Sequence, residues 1–228
     1  MEQVEKSRRR RRKVRRDGTP TVDRRLMNLR NPYKPVEQFS ADEIEYIHDK
    51  SLRILDEKGV RVLCSEARQY FSHAGADVDR ISSIVKFDPA LVMETIAHAP
   101  ATCRLRARNT DRSLDIGGDA VVFAVVGGPP NVSDLDNGRR PGTLASYEDL
   151  LRLAQSFDVV HLLSPMVEPI DVDSSVRHLD ITRSTLYLSD KPFFVFSRGH
   201  EAVADVFEIL KLGYGLDDQA FQEAPVCY

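Results

Sequence analysis

The residues of this chain best suited to chemistry stand just after apolar runs. Glu168 and Asp171 follow the run 159–167, in Glu168-Pro169-Ile170-Asp171. Gly127 and Gly128 follow the run 120–126 and lead through Pro129-Pro130 to Asp134 and Arg139. Ser197 and His200 follow the run 192–196. If the runs are neighbouring strands, these positions share one rim. Paired carboxylates on a rim attract a cation or pass a proton, so Glu168 and Asp171 are the candidate catalytic residues. Gly127, Gly128, Asp134, Arg139, Ser197 and His200 are the candidate substrate rim. Asp173 and Arg177 are spaced for an exposed i, i+4 helix pair, and Arg139-Arg140 for a solvated hairpin tip.

Elements that position these residues follow from the pattern. A buried parallel strand reads as a continuous apolar run rather than an alternation. Three such runs each lead through a polar loop into a helical stretch. The helices are expected from about Ser146, with Ser146 as N-cap, to Ser156; from about Ser174 to Leu188; and from Ala202 to Leu212, ended by Gly213 and Gly215. A fourth strand begins near 224–228. Strands alternating with helices imply right-handed crossovers and a parallel sheet, and a repeat of about 35–40 residues fits a (β/α)8 barrel. Three and a bit units leave open sheet edges, so the expectation is an incomplete TIM barrel over 118–228, the first part of a longer protein.

Residues 39–117 read as a mainly helical N-terminal region. Ser40-Ala41-Asp42-Glu43 is a capping box, followed by Ile44, Ile47, Ser51 and Leu55 on one helical face. Ser65 is placed to cap a second helix, and Asp88-Pro89 opens a third. Residues 1–38 form a basic arm and linker expected to be disordered: residues 1–30 carry 12 Lys and Arg against 4 Asp and Glu, whereas the rest carries 20 against 31. The arm is a solvated tail, a phosphate-attracting segment or a dock for an acidic partner. No aromatic residue interleaves its arginines, which disfavours nucleic acid.

Several classes are set aside. Three cysteines, Cys64, Cys103 and Cys227, contain no C-x-x-C pair, which argues against a disulfide framework or thiolate metal site and fits a reducing cytoplasm. No apolar run approaches the roughly 18 residues of a membrane span. His48, His73 and His98 lack the spacing that aims two imidazoles at one metal. No dinucleotide or P-loop fingerprint, G-x-S-x-G elbow or H-E-x-x-H occurs, so neither bound metal nor nucleotide is expected.

Taken in order, one set of segments resembles the trimethylamine:corrinoid methyltransferase family. They are Ile47-His48-Asp49-Lys50-Ser51-Leu52-Arg53-Ile54-Leu55 with Gly59-Val60, Gly75-Ala76-Asp77-Val78-Asp79, and Ala99-Pro100 leading to Ala107-Arg108-Asn109. Gly127-Gly128-Pro129-Pro130, Asp134, Gly138-Arg139-Arg140 and Thr143 continue it, then Glu168-Pro169-Ile170-Asp171-Val172 and Ser189-Asp190-Lys191-Pro192-Phe193. The resemblance spans roughly residues 26–228. It implies a TIM barrel with a helical N-terminal elaboration. It also implies methyl transfer from a methylated amine, trimethylamine or a quaternary amine such as glycine betaine, to the cobalt of a corrinoid (cobalamin). The corrinoid rides on a separate corrinoid-binding protein, and the rim residues would face it. Family members that use trimethylamine carry a pyrrolysine in the second half of the chain, beyond Tyr228. A homo-oligomer is expected for the full-length protein. The competing readings are an inactive truncated barrel acting as a binding module and a nucleic-acid-associated protein working through the arginine arm.

Overall fold

The computed structural model describes residues 22–27, 29–34, 36–195, 199–223 and 226; the arginine block 8–16, Ser197 and Cys227 lie outside them. The chain divides into two compact units, Tyr33–Ala101 and the remainder.

The smaller unit, Tyr33–Ala101, follows its local signals. Helix α2 (Ala41–Glu57; α1 is Arg24–Met27 in the larger unit) starts at the capping box: Glu43 N–H donates to Ser40 Oγ, and Ser40 N–H donates to Glu43 Oε2 at 2.8 Å. Gly59 turns the chain out of the helix at φ +70, and a Cβ there would meet the Val85 carbonyl at 2.4 Å. Helix α3 (Ser65–His73) is capped by Cys64 rather than Ser65, which is its first helical residue. Helix α4 (Pro89–Ile96) starts as expected, with Asp88 Oδ1 accepting from Ala90 N–H at 2.8 Å. Strands β1 (Val60–Arg61), β2 (Asp77–Val78) and β3 (Ile84–Lys86) form an antiparallel sheet with β3 central. The apolar face of α2 is only partly covered: Leu52 and Leu55 are half-buried, while Ile44, Ile47 and Ile54 are exposed.

In the larger unit the three apolar runs lie side by side in chain order. Ala124 bridges Leu162 and Leu163 bridges Phe193, both parallel. Val125 N–H donates to the Leu162 carbonyl at 3.2 Å, and Phe194 N–H to the Leu163 carbonyl at 2.7 Å. Successive residues face opposite sides. Leu163, Val167 and Phe193 pack with Tyr147, Leu151 and Ala154 of α5 (Leu144–Ser156), Leu186 of α6 (Arg177–Leu188) and Val206 and Leu210 of α7 (His200–Tyr214). Leu162 and Phe194 pack instead with Leu105 and Leu114 of the hairpin β4 (Thr102–Leu105) and β5 (Leu114–Gly117), beside Val22 and Met27. This two-sided burial is what continuous apolar runs require. Val226, past the short helix α8 (Asp218–Glu223), is buried in the first cluster.

Five local expectations are corrected. Helix α5 begins at Leu144 with Thr143 as N-cap, because extended Thr143 offers its Oγ1 to Ser146 N–H at 3.1 Å, and Ser146 becomes the reciprocal third residue. Helix α6 begins at Arg177, because Asp173 is spent on a turn, accepting from Ser175 N–H at 2.8 Å. The expected Asp173–Arg177 helix pair therefore does not form; Arg177 turns to the Val172 carbonyl and Glu168. Helix α7 runs from His200 through Gly213, which lies against Leu186 at a distance where a Cβ would be 2.7 Å from its side chain; only Gly215, at φ +65, ends it. The stretch after Pro130 is an antiparallel hairpin, β6 (Asn131–Asp134) and β7 (Gly138–Pro141), with Arg139 and Arg140 on β7 rather than at the tip. Its turn closes on Asp134, whose Oδ1 accepts from Asn137 N–H at 2.7 Å.

Candidate active site

A cavity of about 550 Å³ opens where the second and third parallel segments end and α6 and α7 begin. The carboxyl end of parallel strands is where α/β folds place their sites. Glu168 lines it, an acidic residue buried at 7% exposure. Arg177 Nη1 donates to Glu168 Oε2 at 3.3 Å, while its Nε and Nη2 donate to the Val172 carbonyl at 3.2 and 2.8 Å. The guanidinium is thus fixed by backbone before it meets the carboxylate. Across the cavity, His178 Nε2 of α6 lies 2.9 Å from Asp205 Oδ2 of α7. Phe193 and Phe194 bring aromatic surface to the same wall.

The lining carries three carboxylates, Glu168, Glu201 and Asp205, against one guanidinium, Arg177, with His178 and His200 as imidazoles. An acidic, partly aromatic cavity suits a small organic cation, which gains from the carboxylates and from the ring faces.

The sequence-selected residues divide. Glu168 and His200 line the cavity. Asp171 is exposed and outside its lining; its Oδ1 accepts from Leu144 N–H at 2.9 Å and so holds the first turn of α5. Asp134 serves its own hairpin, paired with Arg140, and the Asn137 N–H and Arg140 hold its carboxyl below the usual range. Arg139 is exposed on β7. Gly127 and Gly128 are exposed beyond the first segment, with Gly128 N–H donating to the Pro165 carbonyl at 2.8 Å. Ser197 lies outside the described residues. Sequence reasoning missed the Glu168–Arg177 pair and the His178–Asp205 contact. The first was hidden by the competing i, i+4 reading of Arg177. The second joins separate βα units, and no spacing announces it. Among the described residues no group of three or more His, Cys, Asp or Glu is placed to hold a metal ion, and no helix is long and apolar enough to cross a membrane.

Parallel-bridged segments alternate here with helices around an acidic cavity, and comparison with known proteins gives the family. Residues 5–228 match the family described as Trimethylamine methyltransferase (MTTB), and the chain belongs to it. It is 34% identical over 189 residues to a glycine betaine methyltransferase of Desulfitobacterium hafniense (strain Y51), covering 82% of this chain and 39% of that protein. It is 26% identical, over 82% of this chain and 38% of the relative, to a trimethylamine methyltransferase MttB of Desulfitobacterium hafniense (strain DSM 10664 / DCB-2). A proline betaine:corrinoid methyltransferase of Eubacterium limosum is 30% identical over 55% of this chain and 25% of its own length. The chain spans about two-fifths of the length of the first two relatives.

Proposed function

We propose that the protein moves a methyl group from a methylated amine, trimethylamine or a quaternary amine such as glycine betaine, to the cobalt of a corrinoid carried by a separate protein. The observation that carries this reading is the family match over 5–228, strengthened by relatives named for glycine betaine, trimethylamine and proline betaine. We read the three parallel segments as the opening units of a (β/α)8 barrel, supported by their order and by the two-sided burial of the second and third.

The chemistry of the cavity agrees. A quaternary ammonium has no N–H to donate, so its recognition falls to carboxylates and aromatic faces, with about 0.5–2 kcal/mol from each ring. Glu168, in contact with Arg177, supplies the counter-charge, and Phe193 and Phe194 supply the faces. In the transfer the C–N bond breaks and its electron pair leaves with the amine, while the methyl carbon takes a new pair from the reduced metal. The residues of this chain bind and orient the cation.

The test is to mix the full-length protein with a reduced corrinoid protein and each amine in turn. A methylated corrinoid should appear in the absorbance spectrum with at least one amine. No spectral response to any methylated amine overturns the proposal.

A further inference from the structure

A strap of chain, residues 129–144, lies along the backbone that carries Glu168. Glu168 N–H donates to the Pro129 carbonyl at 2.9 Å, Gly142 N–H to the Pro130 carbonyl at 3.0 Å, and Ile170 N–H to the Gly142 carbonyl at 3.1 Å. At its far end the strap is pinned by Asp171, which accepts from Leu144 N–H at 2.9 Å. Gly142 is buried at the closest approach. A Cβ on it would stand 2.4 Å from the Glu168 carbonyl oxygen and 2.4 Å from Val167 Cγ2. One of those obstacles is backbone and cannot swing aside, so any side chain at 142 must push the 167–168 backbone away from the strap.

From this we infer that Gly142 is a positioning residue for Glu168. The strap fixes the backbone of Glu168 while Arg177 fixes its carboxylate, and together they set where the counter-charge stands in the cavity. No side chain of Gly142 can touch a ligand, so its influence passes through Glu168. A displacement of about 1 Å at a charged contact is enough to weaken binding severely. The inference rests on the reading of the cavity as the amine site.

A double-mutant cycle in the full-length protein tests it, with trimethylammonium and glycine betaine as titrants in calorimetry. Glu168→Gln should weaken amine binding by about tenfold or more, and Gly142→Ala by a similar factor, through loss and displacement of one charge. Because both act on the same carboxylate, the double variant should bind within about twofold of the weaker single variant. Losses that multiply, or a Gly142→Ala protein that binds like the parent, overturn the inference while leaving the amine site standing. A Glu168→Gln protein that binds like the parent overturns both. Where Gly142→Ala does not yield folded protein, Asp171→Ala loosens the same strap without adding an atom. It should then weaken binding in the parent and have no further effect beside Glu168→Gln; an equal effect in both backgrounds overturns the inference.

Discussion

Glu168 and Arg177 face one another at 3.3 Å with side chains only 9% and 16% exposed, a buried ion pair on the cavity wall. Burying two charges costs much of what their attraction returns, so such a pair is weak evidence of stabilisation. Breaking it is another matter. Arg177→Met leaves the Glu168 carboxylate buried without its guanidinium and should lower stability by about 3 kcal/mol. Arg177→Lys should lose less, because the charge remains while the two bonds to the Val172 carbonyl cannot be reproduced. Urea unfolding midpoints at constant slope read both effects. Equal stability of the parent and Arg177→Met would contradict the pairing.

A second buried charge joins three elements at the opposite end of the parallel segments. Arg112 is 1% exposed, with Nη2 3.0 Å from Asp158 Oδ1 and Nε 2.8 Å from Asp190 Oδ1. Asp190 also accepts from Asn109 at 2.9 Å and Gln155 at 2.7 Å. Burial works against its ionisation, but the Asn109 and Gln155 hydrogen bonds and the Arg112 charge outweigh it, so its carboxyl lies below the ordinary 3.8. A depressed carboxyl contributes stability above its unfolded value and loses it as pH falls through the folded one. Unfolding free energy should therefore fall as the solution is acidified below about 3.8, and Asp190→Asn should flatten that part of the curve. Arg112→Met should cost about 3–5 kcal/mol at neutral pH, read by urea unfolding.

These two networks show which parts of the protein were legible in its sequence. Ser40 with Glu43, and Asp88 with Pro89, announce helix starts because each cap is closed within three residues. The runs at 159–167 and 192–195 announce parallel segments because burial on both faces demands unbroken apolar sequence, whereas the run 120–126 pairs in parallel with Phe123 and Val126 exposed. Thr143 and Ser146 both offer a capping hydroxyl, and the choice between them depends on backbone geometry that composition does not carry. Arg112 and Asp158 meet across 46 residues, so their pairing has no local signature. Asp171 looked like half of a catalytic pair because it shares a loop with Glu168. The fold turns it to the first turn of α5 instead.

His161 gives a second pH window. It is buried at 1% exposure, with Phe123 N–H donating to Nδ1 at 2.9 Å, which leaves the proton on Nε2 to be donated to the Leu26 carbonyl at 2.6 Å. Burial, with the nearby Lys191 charge, holds the imidazole below its ordinary 6.5 against the pull of the Leu26 carbonyl. The unfolded chain takes up a proton here before the folded one does. Stability should therefore decline as pH falls below 6.5, ahead of any carboxylate titration. His161→Gln, neutral throughout, should remove this step from the pH dependence of the unfolding midpoint; an unchanged step would assign it to another group.

Tyr147 sets the alkaline edge. Its hydroxyl meets Thr185 Oγ1 at 2.6 Å where α5 packs on α6, and the ring is 1% exposed. Thr185 Oγ1 is already committed as a donor to the Ile181 carbonyl at 2.8 Å, so Tyr147 is the donor in this contact. Burial pushes the phenol up to about 12. A group raised on folding adds stability that is complete below its unfolded value of 10.0 and is lost as pH climbs through the folded one. Absorbance titration of the phenolate should show one of the seven tyrosines lagging until the protein unfolds. Tyr147→Phe should abolish that lag and cost about 1 kcal/mol near neutral pH, since it removes one buried hydrogen bond and leaves the Thr185 oxygen still donating to its own helix.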